Sequence, residues 1–115
     1  MTEFFEFLHR MGLMHDCRVL ALNWKPAEQR LEFQIDDLYS NFLGLPDYPG
    51  PHAGTIALAG VSDLNIAIGH AEFLNIDEFE PSGGSPDHVS VKFWPSGRIT
   101  ARFASAIFPK CLLPA

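Results

Sequence analysis

The stretch that decides the fold is CRVLALNWKPAEQRLEFQID, residues 17–36. In RLEFQID, Leu31, Phe33 and Ile35 alternate with Arg30, Glu32, Gln34 and Asp36. A period of two puts the apolar set on one face and the polar set on the other, which predicts a half-buried strand. The preceding CRVLALNW is apolar at both phases, so it predicts a more central strand. KPAEQ between them is too short for a crossover, and Pro26 suits a turn, so the two strands form an antiparallel hairpin.

The same alternation recurs downstream. TIALAGV and DLNIAI read as another strand pair around Gly60. HAEFLNIDEF follows with a phase slip between Phe73 and Leu74, which predicts a β-bulge there. HVSVKFW and RITARFASAIF alternate around Pro95-Ser96-Gly97, a three-residue hairpin with Gly97 in the left-handed position. EPSGGSPD has the composition of an exposed loop. Upstream, Thr2 can cap a helix, Glu3 favours its positive end, and Phe4, Phe7, Leu8 and Met11 share one face before Gly12 stops it. The expected fold is therefore mainly β: about seven strands in a curved antiparallel sheet or barrel-like sandwich, with one N-terminal helix docked on it. The spacing has no room for βαβ units, which excludes a doubly wound fold.

The chain has 115 residues, the length of one domain spanning 1–115, and its 47% hydrophobic content includes ten phenylalanines. Its formal charge is -6, which argues against nucleic acid and anionic membranes as partners and leaves room for a cationic one; a protein partner or self-association is expected. No apolar run reaches the length of a membrane helix, and MTEFFEFLHR carries acids where a secretion signal carries positive charge. A cytoplasmic protein with reduced thiols is expected. Cys17 and Cys111 form no CxxC motif, and Cys17 reads as an inert core thiol.

Few residues suggest chemistry. No serine lies in a G-x-S-x-G elbow, the histidines at 9, 15, 52, 70 and 88 lack metal-binding spacing, and SGGS precedes neither a helix nor a phosphate-loop lysine. No catalytic residue and no cofactor are implied. One cluster could hold a divalent metal: hairpin geometry brings His15 and Asp16 toward Asp36 and Asp37. A hydrogen-bonded strand terminus explains the same four residues, since aspartates at strand ends commonly serve turns.

The remaining signal is DDLYSNFLGLPDYPGPHAG, residues 36–54, long for a connection in a compact domain. Its Tyr39, Phe42, Leu43, Leu45 and Tyr48 argue for packing, either as a lid or as a recognition surface. Tyr39, Phe42 and Tyr48, with Trp94 from the HVSVKFW strand, are the candidate binding residues. A non-enzymatic binding module is the leading expectation. A metal-dependent protein centred on His15, Asp16, Asp36 and Asp37 and a structural homodimer are the alternatives.

The segment LMHDCRVLALNWKPAEQRLEFQID, residues 13–36, resembles the opening of several small, mostly uncharacterised bacterial β-rich families. They include immunity-protein families of polymorphic toxin systems, whose members often begin with a short helix, a stretch containing His-Asp, and a hairpin. The resemblance carries no catalytic residues. It implies a protein that works by binding another protein.

Overall fold

A computed structural model describes residues 3–38, 52–69, 72–82 and 87–109. The helix α1 (Glu3–Arg10) leads through a 3-10 turn at Gly12–Met14 to eight strands: β1 (Arg18–Lys25), β2 (Arg30–Ile35), β3 (Gly54–Ala59), β4 (Ser62–Ala67), β5 (Leu74–Pro81), β6 (His88–Trp94), β7 (Arg98–Arg102) and β8 (Ser105–Ile107). They form one antiparallel sheet in the order β4-β7-β6-β5-β1-β2-β3-β8. The sheet is not closed: β4 and β8 are its end strands.

The chain path nevertheless bends this sheet around a core. Its two halves, β4-β7-β6-β5 and β1-β2-β3-β8, meet where β1 pairs with β5 through Arg18 with Asn75 and Val19 with Leu74. That joint is extended by Asp16 N donating to Ile76 O and Ile76 N donating to Cys17 O, each at 2.8 Å. On the opposite side, β3 runs on into β4 and β7 runs on into β8, so each pair of consecutive strands crosses from one half to the other. The mainly-β fold with one N-terminal helix is the observed one, and of the two forms expected it is the single antiparallel sheet, left open.

The first hairpin lies where period two puts it. Leu31, Phe33 and Ile35 are fully buried, and Pro26–Glu28 form a 3-10 turn closed by Gln29 in the left-handed region. Gly97 shapes the second hairpin at φ +122°, accepting a hydrogen bond from Phe93 N at 2.9 Å. The helix carries Glu3 and Glu6 in its first turn and His9 and Arg10 in its last, complementary to its dipole. It buries Phe4, Phe5, Phe7 and Leu8 on the inner face of the sheet. The Phe4 ring meets Phe79 edge-on at 5.8 Å and Phe103 at 5.8 Å, and Phe79 meets Phe33 at 5.2 Å. Such tilted and edge-on contacts are the favoured aromatic geometry, and they tie helix and both sheet halves into one core.

Three details differ from the sequence reading. TIALAGV and DLNIAI do not pair with each other: β3 pairs with β2 and β8, while β4 pairs with β7. A hairpin tip would expose Val61, but Val61 is buried and its N–H donates to Gln29 O at 2.9 Å, so the chain bends inward there. RITARFASAIF breaks at Phe103 and Ala104 into two strands, giving eight rather than seven. The break is held by Phe103 N donating to Asp87 O and Ala104 N donating to Ala59 O. Finally, the slip in β5 falls between Ile76 and Glu78, because β5 only begins at Leu74.

Candidate binding face

Direct pairing places Arg18 beside Asn75 and Asn75 beside Trp94, so these three side chains form one row across β1, β5 and β6. Their neighbours Val19, Ile76 and Phe93 point into the core, so the row lies on the outer face. Phe73, just ahead of β5, stacks against Trp94 with ring centroids 5.8 Å apart and planes tilted by 31°. The Arg18 guanidinium lies over the Phe73 ring at 4.9 Å, a cation–π contact. Trp94 is 57% exposed and Leu20, at a bulge in β1, is 59% exposed. Large apolar side chains thus stay in water on this side.

Under the aromatics, the Asn75 Oδ1 atom is buried and finds no hydrogen-bond partner among the described residues. Buried polar atoms are normally paired, and one without a partner costs about 1–3 kcal/mol.

Trp94 is therefore the one sequence-derived binding candidate whose setting is described. Tyr39, Phe42 and Tyr48 lie outside the described residues. What is described is the base of their loop: Leu38 N donates to His52 O at 2.8 Å and His52 N to Asp37 Oδ1 at 3.2 Å. Leu38 is fully buried against Gly54, where an added Cβ would fall 2.3 Å from Leu38 Cδ1. Phe73, Arg18, Asn75 and Leu20 were not singled out by sequence. The available signal was Trp94 itself, which alternation puts in phase with His88, Ser90 and Lys92, a polar row.

The second cluster divides. His15 Nδ1–H donates to the Asp77 carbonyl at 2.8 Å, with its ring 3.6 Å from the Asp77 carboxylate and 3.5 Å from that of Asp16. This hydrogen bond and the surrounding carboxylates raise the His15 pKa above its ordinary value. Asp36 Oδ1 instead accepts from Arg18 N at 2.9 Å, and Asp37 accepts from His52 N. Among the described residues, no three His, Cys, Asp or Glu side chains are grouped to hold a metal. The hairpin brings the four residues to one end of the molecule, but Asp36 and Asp37 accept from backbone N–H groups while His15, with Asp16 beside it, turns to β5.

Cys17 is buried and its thiol donates to Asp37 O at 3.1 Å. Burial, reinforced by Asp36, Asp37 and Asp16, pushes its pKa up to about 12. It is unsuited to nucleophilic work, because the thiolate is the reactive form. On β5, burial and the adjacent Glu78 carboxylate raise the Glu80 pKa, while Lys92 and Arg98 oppose the shift.

No helix among the described residues is long and apolar enough to cross a membrane. Comparison with known proteins returned no matching family model, no similar curated protein and no similar solved structure.

Proposed function

We propose that this chain is a non-enzymatic binding module, working in the cytoplasm, whose outer sheet face around Trp94 engages a protein partner. The observation that carries this reading is the exposed Trp94–Phe73–Arg18 stack beside Asn75, whose side-chain oxygen has no partner among the described residues. Tryptophan and arginine are the side chains most enriched where binding energy concentrates in protein interfaces. Phe73 and Arg18 hold one another in place, so less side-chain freedom is lost on contact. The resemblance of residues 13–36 to immunity-protein families supports the same direction.

The test is site-specific photo-crosslinking in the source cells. A crosslinking residue at position 94 should trap one discrete protein, and the same residue at Gln34, an exposed position on β2, should not. With the trapped protein purified, Trp94→Ala should weaken binding by about tenfold or more. A crosslink pattern identical at both positions, or an affinity unchanged by Trp94→Ala, would defeat the proposal.

A further inference from the structure

The face around Trp94 continues into a basic strip. Pairing between β6 and β7 sets Lys92 beside Arg98, Ser90 beside Thr100 and His88 beside Arg102. These residues alternate with Val89, Val91, Ile99 and Ala101, all buried, so the whole strip points outward. Arg98 and Arg102 are exposed and form no ion pair among the described residues. A chain of charge -6 with only eight Lys and Arg has thus gathered three of them, Lys92, Arg98 and Arg102, on two neighbouring strands.

The borders of the strip differ. On the β5 side, Glu78 stands opposite Lys92 and Glu80 opposite Ser90. On the β4 side, which leads to the open edge of the sheet, Ala67 faces Arg98, Asn65 faces Thr100 and Ser62 faces Arg102, with the exposed Asp63 at the bulge between Ser62 and Asn65 as an acid on this margin. An anionic occupant meets the pair Glu78 and Glu80 on the first border and the single Asp63 on the second, so it is repelled less on the β4 side.

We infer that this strip recognises an acidic peptide segment of a partner protein, lying extended along β6 and β7 with an apolar residue anchored on Trp94. Successive outward positions on a strand are about 7 Å apart, the same repeat as alternate residues of an extended peptide. Alternate carboxylates can then meet Lys92 with Arg98 and, further along, Arg102, while the hydroxyls of Ser90 and Thr100 lie between. Arginine suits this role because its planar donors pair two at a time with a carboxylate. A nucleic acid carries phosphate at every residue and would meet both Glu78 and Glu80 and the negative field of the whole chain. A short acidic segment can avoid both.

The inference rests on the binding reading above, and its test separates the two. Immobilised protein is used to select from a displayed library of short random peptides, with labelled oligothymidine as a second probe. Wild-type protein should enrich sequences with an apolar or aromatic residue followed by Asp or Glu at alternate positions. The Arg98→Gln/Arg102→Gln variant should lose that acidic preference and bind a selected peptide about tenfold or more weakly. Its circular dichroism and melting should match the wild type, since both side chains are exposed. Enrichment without acids, an unchanged preference in the double variant, or tighter binding of oligothymidine than of the peptides would overturn the inference. If crosslinking at position 94 still trapped a protein in that case, the binding face would stand and only the partner's chemistry would be wrong.

Discussion

A thiol surrounded by protein and carboxylates ionises poorly, and Cys17 is such a thiol. In native protein near neutral pH, Cys17 should resist maleimide for hours, and it should react promptly once denatured. Peptide mapping by mass spectrometry reads the site directly, and fast native labelling of Cys17 would contradict its burial. Gly60 is the other residue whose environment is demanding. At φ +64° it occupies the left-handed region, and an added Cβ would lie 2.6 Å from the Ala104 Cβ. Backbone strain alone costs about 1–2 kcal/mol for a residue with a side chain. Gly60→Ala should therefore lower stability by about 2 kcal/mol or more in urea melts, and a neutral result would mean that the corner relaxes freely. The inert thiol could be inferred from composition, as free cysteine commonly behaves as a small core residue. The role of Gly60 could not, because Gly-Val between two apolar runs reads as a hairpin tip unless the burial of Val61 is known.

Among the elements, two of the expected hairpins were legible, the pair expected around Gly60 was misread, and the long-range pairings left no local sign. Pro26 with clean alternation in β2, and Pro95-Ser96-Gly97 between β6 and β7, are local signals that act within one turn. The choice of β7 as partner of β4, and of β8 as partner of β3, depends on how the core closes and leaves no mark in either segment. The aromatic cluster that closes the core has Phe79 near its centre, fully buried between Phe4 of the helix and Phe33 of β2. Removing that ring leaves a cavity between elements that cannot easily collapse, so Phe79→Ala should cost about 3–5 kcal/mol. Trp94→Ala, on the opposite face, should change stability by only about 0.5 kcal/mol. Chemical denaturation of both variants checks the pair of values. Similar losses in the two would mean that the outer aromatics belong to the core and are not held out for a partner.

At the scale of the molecule, the candidate face illustrates why sites are harder to read than folds. Trp94 was visible as an aromatic on a polar row, but Arg18, Phe73 and Asn75 join it only through the meeting of β1, β5 and β6. Charge is also distributed by the fold, and its effect on stability has a calculable sign. The His15 pKa is raised above 6.5, first by its hydrogen bond to Asp77 and then by Asp16, Asp77 and Glu78. That contribution is complete below the unfolded value and is lost as pH rises through the folded one. Glu80 is raised above 4.5 by burial and by Glu78, so it too favours the folded state at lower pH and loses that contribution as pH rises. Glu32 runs the other way: its hydrogen bond to Arg30, then the charges of Lys25 and Arg30, hold it below 4.5, and its stabilisation is lost as pH falls through the folded value. The urea midpoint should therefore rise modestly from about pH 8 to about pH 5 and decline under stronger acid. The changes stay small because the His15 pairs are half in water. His15→Gln should flatten the upper part of the profile and Glu80→Gln the lower part. A midpoint that falls steadily from pH 8 to pH 5 would show that these groups do not set the profile.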